Sequence, residues 1–153
     1  MRGKGAAGLS QKELEALVGH ATDASRRAYA PYSGFAVGAA LLGASGAIYP
    51  GCNVENAAYP LTICAERSAV ARAVCEGERR FRAIAVVAAK GGPCAPCGAC
   101  RQVLFEFDPD MLVVTTGESG ELVVRTVREL LPEAFGPGNL RSGNRTDAGR
   151  NES

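Results

Sequence analysis

Apolar positions recur along this chain of 153 residues at spacings that alternate between helical and extended periods. Near the start, Ser10 and Glu13 form the capping-box pattern that opens a helix. Apolar residues then follow at helical spacing, at Leu14, Leu17, Val18 and Ala21. We expect this first helix to run to about Ala30, because Pro31 cannot continue it.

Short runs of apolar and β-branched residues between turn residues predict five strands. They cover 35–42, 47–52, 81–89, 111–116 and 122–126. Further helices are predicted at 64–75, 97–107 and 127–135. The order α-β-β-α-β-α-β-β-α implies an α/β fold with a mixed sheet and helices on both of its faces. We assign one domain to residues 10–137 and expect a disordered tail over 138–153, where the sequence is polar and has no core pattern.

Charge and composition exclude several classes of function. The 17 basic and 16 acidic residues give a net charge of +1, and the chain has no tryptophan. A surface for a nucleic acid strand needs a basic channel and stacking aromatics, so we expect a small neutral substrate and no nucleic acid partner. No segment has the pattern of a signal peptide or of a membrane span. Six cysteines in such a chain favour reduced thiols and metal binding in the cytoplasm over a disulfide framework.

Three of these cysteines lie in motifs that suit a reactive metal centre. Cys64 is followed two positions later by Glu66, and Pro96 introduces Cys97 and Cys100. Three thiolates can hold zinc and leave its fourth tetrahedral position open for water, which is the arrangement of a catalytic zinc site. Glu66 is then well placed to handle the protons of that water.

The predicted helices explain why these thiols can bind metal. If Cys64 and Cys97 each begin a helix, the positive end of the helix dipole favours the thiolate. Cys97 and Cys100, three residues apart, then lie on one helical face. The C-x-x-C pair alone is as typical of structural zinc or redox chemistry as of a catalytic site. Cys94 could also close the site as a fourth sulfur ligand. We expect Cys94 to be a small loop cysteine instead, because it lies before Pro96 and outside the helix.

Five motifs together carry a resemblance to a known family. They are PYSGFAVGAA at 31–40, GCNVENAAYP at 51–60, CAERSA at 64–69, PCGACRQV at 96–103 and LLPEAFGP at 130–137. In this order, over about residues 10–137, they resemble the small homotetrameric zinc-dependent cytidine deaminases. Five motifs in register are far more specific than one C-x-x-C.

The resemblance implies both a fold and a reaction. The fold is the three-layer α-β-α cytidine-deaminase-like fold with a mixed five-stranded sheet, and the assembly is a homotetramer with active sites shared between subunits. Each chain is expected to hold one Zn²⁺ on Cys64, Cys97 and Cys100. The reaction is hydrolytic deamination of cytidine and 2′-deoxycytidine to uridine and 2′-deoxyuridine plus ammonia, with Glu66 moving protons as general acid and base.

The resemblance also assigns residues to the substrate and to the metal. The predicted substrate-binding residues are Phe35, Asn53, Glu55, Ala57, Tyr59, Ala65 and Phe135. Asn53 and Glu55 resemble the pair that binds the ribose hydroxyls, and Phe35 the aromatic that packs against the pyrimidine. The backbone around Ala65 recognises the base, while Ala57, Tyr59 and Phe135 match positions contributed across subunit contacts. Arg67 matches the arginine that withdraws charge from the thiolates.

Three alternatives remain to be compared with this reading. A polynucleotide deaminase shares the zinc chemistry but needs the basic surface that this chain lacks. A deaminase of a cytosine-containing antibiotic shares the Pro-Cys-x-x-Cys-Arg-Gln motif, although residues 53–59 match the nucleoside enzymes. A non-catalytic zinc-stabilised module would use Cys94 as its fourth ligand. The sequence does not decide between cytidine and 2′-deoxycytidine as the preferred substrate.

Overall fold

A mixed five-stranded sheet lies at the centre of the computed structural model, which describes residues 8–143. The strands are β1 (Val37–Gly43), β2 (Ile48–Cys52), β3 (Phe81–Ala88), β4 (Leu112–Thr116) and β5 (Leu122–Thr126). Their order is β2-β1-β3-β4-β5, and only the β3-β4 pair is parallel. A parallel pair needs a crossover between its strands, and here a helix supplies it.

Helices cover both faces of the sheet, as the order of elements predicts. They are α1 (Gln11–Ser25), α2 (Ala65–Cys75), α3 (Gly98–Phe107), α4 (Val127–Leu130) and α5 (Pro137–Gly143), with a 3₁₀ turn at Tyr59–Leu61. Alternate residues of β3 enter two different cores: Ala83 and Ala85 pack with α1, and Ile84 and Val86 pack with α2. This alternation with period two gives the three-layer α-β-α arrangement. The predicted fold class is therefore confirmed.

Two glycines of the sheet allow α1 and α2 to approach it closely on its opposite faces. A Cβ atom at Gly38 of β1 would overlap the backbone of Ala21 and Ser25 in α1. A Cβ atom at Gly51 of β2 would overlap the backbone of Ala69 and lie 2.5 Å from the carbonyl oxygen of Ala65 in α2. Gly51 therefore sets the distance between the sheet and the first turn of α2.

Two helices are shorter than the sequence predicts. The capping box at Ser10 and Glu13 is present, but α1 ends at Ser25, before the expected end at Ala30. The chain turns instead, and the backbone N–H of Tyr29 donates to the carbonyl of Asn53 at 3.0 Å. Helix α4 covers Val127–Leu130 rather than 127–135. Here the residue that follows Leu130 precedes Pro132, and a residue before proline disfavours helical geometry.

The expectation of a disordered tail from residue 138 is wrong for residues 138–143, which belong to helix α5. Pro137 occupies the first helical position, where its missing N–H costs nothing. The side-chain oxygen of Asn139 accepts a hydrogen bond from the backbone of Gly136 at 2.8 Å, just before the helix. Residues 144–153, the rest of the predicted tail, lie outside the described residues. Within 8–143, no helix is long and apolar enough to span a membrane.

Candidate metal centre and its pocket

The structure brings the three predicted metal-binding cysteines together at the beginnings of two helices. Cys64 is the N-cap residue of α2, Cys97 is the N-cap residue of α3, and Cys100 lies in the first turn of α3. Their Sγ atoms all lie within 4.8 Å of one another, and those of Cys64 and Cys97 are 3.9 Å apart. Three soft sulfur donors in one cluster suit the tetrahedral coordination of zinc and leave one position for another ligand.

The three thiols have different environments. Burial raises the pKa of Cys97, but hydrogen bonds from the backbone and side chain of Cys100 outweigh it, so the pKa lies below its usual value. Burial raises the pKa of the Cys100 thiol strongly, and the negative charges of Glu66 and Cys64 raise it further. A bound cation would oppose this rise, since metal coordination deprotonates a thiol ligand.

Glu66 is a buried carboxyl group beside this cluster. It lies in the first turn of α2, its side chain is 4% exposed, and burial raises its pKa above the usual value. A raised pKa makes a carboxylate a stronger proton acceptor, which suits a group that must accept a proton and then return it. Its position two residues after Cys64 brings that capacity to the metal centre.

Arg67 contacts the metal centre from α2. Its guanidinium donates to the Sγ atom of Cys64 at 3.7 Å and to the carbonyl of Thr62 at 3.1 Å. The hydrogen bond to Cys64 raises the pKa of Arg67. Its Nε atom is buried and has no hydrogen-bond partner among the described residues. The contact that the sequence resemblance implies between Arg67 and a thiolate ligand is therefore present.

A cavity of about 350 Å³ opens beside the metal centre. Five residues predicted to act on the substrate line it: Phe35, Asn53, Glu55, Ala65 and Glu66. Cys64 and Cys97 form part of its wall, so a molecule bound there reaches the metal. The volume falls within the range of small-molecule pockets. Among residues 8–143, Glu55 and Glu66 are its only carboxylates, and no lysine or arginine lines it.

The comparisons with known proteins agree with this site. The model of the cytidine and deoxycytidylate deaminase zinc-binding region matches residues 11–116. The cytidine deaminase of Sporosarcina psychrophila is 50% identical over 129 residues, which cover 84% of this chain and 95% of that protein. The chain belongs to the cytidine deaminase family. It is a zinc-dependent enzyme that deaminates cytidine, as the motifs predict.

Other cytidine deaminases give the same result. That of Halalkalibacterium halodurans is 50% identical over 124 residues, which cover 80% of this chain and 94% of that protein. The crystal structure of the cytidine deaminase from Burkholderia pseudomallei superposes with a TM-score of 0.76 at 48% identity. That match covers 83% of this chain and 100% of the other. The fold of this deaminase is therefore shared along nearly the whole length of its relatives.

The deaminase pocket also contains residues that the sequence analysis did not select. They are Ser33, Val37, Thr62, Cys94 and Ala95. Ser33 and Val37 lie within the first family motif, but nothing in the residue types alone marks Thr62 or Ala95 as pocket residues. Cys94 is half-buried, and burial raises the pKa of its thiol to about 11. It lies outside the cluster of three sulfur atoms, in agreement with its predicted role as a loop cysteine.

Asn53 and Glu55 hold the wall of the pocket as well as lining it. The Asn53 side chain accepts from the backbone of Val37 and donates to the carbonyl of Phe35, both at 2.8 Å. The Glu55 carboxylate accepts from the backbone N–H and the hydroxyl of Ser33 at 3.1 Å. The two side chains therefore fix the segment that carries Phe35. Their predicted contacts with the ribose remain predictions.

Three predicted substrate-binding residues do not line this pocket. Ala57 is exposed, Tyr59 is 70% exposed and Phe135 is 59% exposed. Tyr59 packs edge-on against Tyr32, with ring centroids 5.8 Å apart, beside a second cavity that shares Glu55 with the first. A single chain thus leaves these residues outside its own pocket, as expected if they serve another subunit.

Proposed function

We propose that this cytidine deaminase acts on free cytidine and 2′-deoxycytidine, with one zinc bound by Cys64, Cys97 and Cys100 in each chain. The observation that supports this most directly is the shared cavity, into which the metal centre and the buried carboxyl of Glu66 both open. Zinc, when bound, acidifies a water molecule so that it becomes a nucleophile at neutral pH. The remaining chemistry belongs to the side chains.

Glu66 moves the protons of the reaction. In the carboxylate form it accepts a proton from water, and it then donates that proton to N3 of the pyrimidine as C4 becomes tetrahedral. The carboxylate then takes the proton of the hydroxyl group now on C4 and gives it to the 4-amino group, so that the C4–N bond breaks, ammonia leaves and the C4 carbonyl of uridine forms. The burial that raises the Glu66 pKa above its usual value favours this alternation, because it makes the carboxylate a stronger proton acceptor.

The charges of the pocket favour a nucleoside over a nucleotide. The family model covers deaminases of both cytidine and deoxycytidylate, so the 5′ end of the substrate has to be considered. A 5′-phosphate carries about two negative charges and is usually bound by arginine or lysine side chains. The pocket instead has Glu55 and Glu66, and none of the described residues in its wall is basic. A phosphate would therefore be repelled where a 5′-hydroxyl fits.

The other pocket residues bind the nucleoside from several sides. Asn53 and Glu55 bind the 3′-hydroxyl, which cytidine and 2′-deoxycytidine share. Phe35, 46% exposed, packs against the pyrimidine face. The backbone of Ala65, next to Glu66, binds the polar edge of the base. Each role follows the family resemblance and is supported by the position of the residue in the cavity wall.

We also propose that the chain assembles as a homotetramer in the cytoplasm. Its exposed large apolar side chains include Tyr29, Tyr32, Phe35, Val54, Tyr59, Leu61, Ile63, Phe135 and Leu140. Exposed apolar side chains in such numbers are typical of a surface that another protein covers. In the tetramer, Ala57, Tyr59 and Phe135 complete the pocket of a second copy. The six free cysteines are compatible with a reducing cytoplasm.

The proposed function is tested by measuring activity and zinc on the same preparation. The protein should contain about one zinc per chain and convert cytidine and 2′-deoxycytidine, with kcat/KM for cytidine 5′-monophosphate lower by about 100-fold or more. Glu66→Ala should retain zinc and lose about 100-fold or more in kcat, because it removes proton transfer but no ligand. Efficient turnover of the monophosphate would contradict the assignment to nucleosides. Near-normal turnover by Glu66→Ala would contradict the role of Glu66 in proton transfer.

A further inference from the structure

Arg101 and Gln102 directly follow the predicted metal ligand Cys100. They join the loop that contains Pro96 and Cys97, called here the metal-binding loop, and helix α3 to residues 130–136, called here the C-terminal segment. Arg101 comes after Cys100 on α3, and its Nε atom donates to the carbonyl of Pro96 at 2.8 Å. Its Nη1 atom donates to the carbonyl of Leu130, at the end of α4, also at 2.8 Å. One planar guanidinium therefore fixes the residue before Cys97 and the residue where the C-terminal segment begins.

The next residue of α3 holds the C-terminal segment at its other end. The side-chain amide of Gln102 donates to the backbone carbonyl of Phe135 at 2.8 Å. The next residue, Gly136, is buried, and a Cβ atom there would lie 2.7 Å from the ring of Phe105. Only glycine allows the segment to lie this close to α3. The chain is thus attached to α3 at Leu130, Phe135 and Gly136.

Between these attachments the backbone adopts a turn that few residues accept. Glu133 has φ 53°, and it is the only non-glycine residue within 8–143 with a positive φ. Such a conformation persists only where the surrounding structure enforces it, and it marks functional segments more often than others. The backbone of Phe135 is held, yet its ring is 59% exposed. A fixed backbone with an exposed ring is the arrangement expected of a side chain that another surface receives.

We propose that Gln102 and Arg101 are positioning residues that fix Phe135 relative to the metal-binding loop. The consequence for catalysis rests on the proposed function, in which Phe135 completes the pocket of a second copy. Helix α3 would then fix both the metal ligands of its own chain and the position of Phe135, which contacts the pocket of another chain. The positioning itself belongs to a single chain, so it can be measured without reference to activity.

Hydrogen exchange in the zinc-loaded full-length protein tests the Gln102 contact. Gln102→Met keeps the length of the side chain and removes the donor, so exchange of the amides in 131–136 should become about threefold faster, since a net hydrogen bond at an exposed site is lost. Glu106→Met is the matched control, because Glu106 lies one turn further along α3, is exposed and makes no hydrogen bond or ion pair within the described residues. Equal exchange in both variants would overturn the proposal.

A conservative variant separates the hydrogen bond from simple packing. Gln102→Lys keeps a side-chain N–H donor at similar reach, so its exchange rate in 131–136 should return to within about twofold of the wild type. Melting temperatures of all variants are compared to exclude global unfolding as the cause. If Gln102→Lys exchanges as fast as Gln102→Met, the hydrogen bond does not position the segment.

Arg101 is tested through both of its contacts. Lysine has one ammonium group in place of the planar fork, so Arg101→Lys cannot hold both carbonyls with the same geometry. We expect faster exchange in 131–136 and, because Pro96 precedes Cys97, transfer of zinc to a chelator at more than about twice the wild-type rate. Arg79→Lys, at an exposed arginine outside the site, should change neither quantity. A change in only one of the two quantities would show that Arg101 does not link the two segments.

Kinetics then distinguish this proposal from the proposed role of Phe135. If Phe135 contacts substrate in a second copy, Gln102→Met should raise KM for cytidine about threefold or more with little change in kcat, which is the signature of lost binding. Faster exchange of the amides in 131–136 with an unchanged KM would support the positioning role of Gln102. It would contradict the proposed contact between Phe135 and the substrate. Unchanged exchange would overturn the positioning whatever the kinetics.

Discussion

Three thiolate ligands give a zinc centre a net charge of about −1, which weakens its ability to acidify water. We propose that Arg67 offsets this charge, because its guanidinium contacts the Sγ atom of Cys64 and that hydrogen bond raises the pKa of Arg67. The same guanidinium is tied to the carbonyl of Thr62, which fixes its direction. The reactivity of the centre therefore depends on a residue that is not a ligand.

Arg67→Gln should lower kcat by about tenfold, since it removes a charge-assisted hydrogen bond while keeping much of the side-chain length. Cys64→His removes one negative charge from the ligand set, so adding it to Arg67→Gln should restore part of the lost rate. The measurement is a double-mutant cycle on kcat with zinc content determined for each variant. Two independent, multiplying losses would show that Arg67 does not act through the charge on the metal.

Cys94→Ser should retain about one zinc per chain and most of the activity. The Cys94 thiol lines the pocket, but burial keeps it protonated and it lies outside the cluster of three sulfur atoms. Cys97→Ser is the matched comparison and should lose both metal and turnover. The zinc content of the two purified variants shows whether Cys94 is a ligand. Loss of zinc from Cys94→Ser would indicate a closed site with four sulfur ligands.

The sequence motifs identify the metal cluster because its chemistry requires particular residue types at short spacing. Cys97 and Cys100 are one helical turn apart, so local geometry places them together, while the fold brings Cys64 to them. The rest of the pocket wall is harder to predict. Thr62 and Ala95 lie two residues before Cys64 and Cys97 and line the pocket, but neither residue type signals a function.

The metal centre is built where two helices begin, so its geometry depends on how closely those helices approach the sheet. Gly51 of β2 packs against the first turns of α2, next to the buried Ala65. Gly38 of β1 packs in a similar way against α1, on the opposite face of the sheet. The two glycines have comparable steric constraints, but only Gly51 lies under the helix that begins at Cys64.

Gly51→Ala and Gly38→Ala should each lower the free energy of unfolding by about 1–3 kcal/mol, because the added methyl group forces a helix away from the sheet. Only Gly51→Ala should also lose zinc more readily to a chelator, since it shifts α2 and therefore Cys64. Chemical denaturation gives the stability, and a colorimetric chelator gives the rate of zinc loss. Equal rates of zinc loss from the two variants would show that the distance between α2 and the sheet does not set the metal geometry.

The elements themselves are largely predictable, and their ends are not. The run of apolar residues in β3 and the capping box at Ser10 are local patterns, so the strands and the beginning of α1 follow from the sequence. The end of α1 is determined by Tyr29, whose backbone pairs with Asn53 in a distant segment. Helix α5 was missed because it has no apolar periodicity, and Leu140 within it is 67% exposed.

We propose that a single chain is an incomplete enzyme, and the distribution of exposed apolar side chains supports this. Tyr59 and Phe135 belong to the family motifs, yet neither lines the pocket that contains Glu66. Phe135 is held by its backbone and presents its ring outward. Each pocket would then take Glu66 from one chain and Phe135 from another. A variant without Glu66 and a variant without Phe135 could therefore form complete pockets when their chains are mixed. The proposed tetramer therefore makes a quantitative prediction.

Glu66→Ala lacks the proton shuttle and Phe135→Ala lacks the wall presented to a second copy, so each homogeneous oligomer should be poorly active. Random co-refolding of equal amounts should give one half times one half, or about a quarter, of the sites with both native residues. The activity of the mixture should then rise well above the mean of the two variants. Tagged pull-down verifies that mixed oligomers have formed. If they form without a gain in activity, Phe135 serves its own chain or only packs, because sharing between chains would necessarily regenerate complete sites.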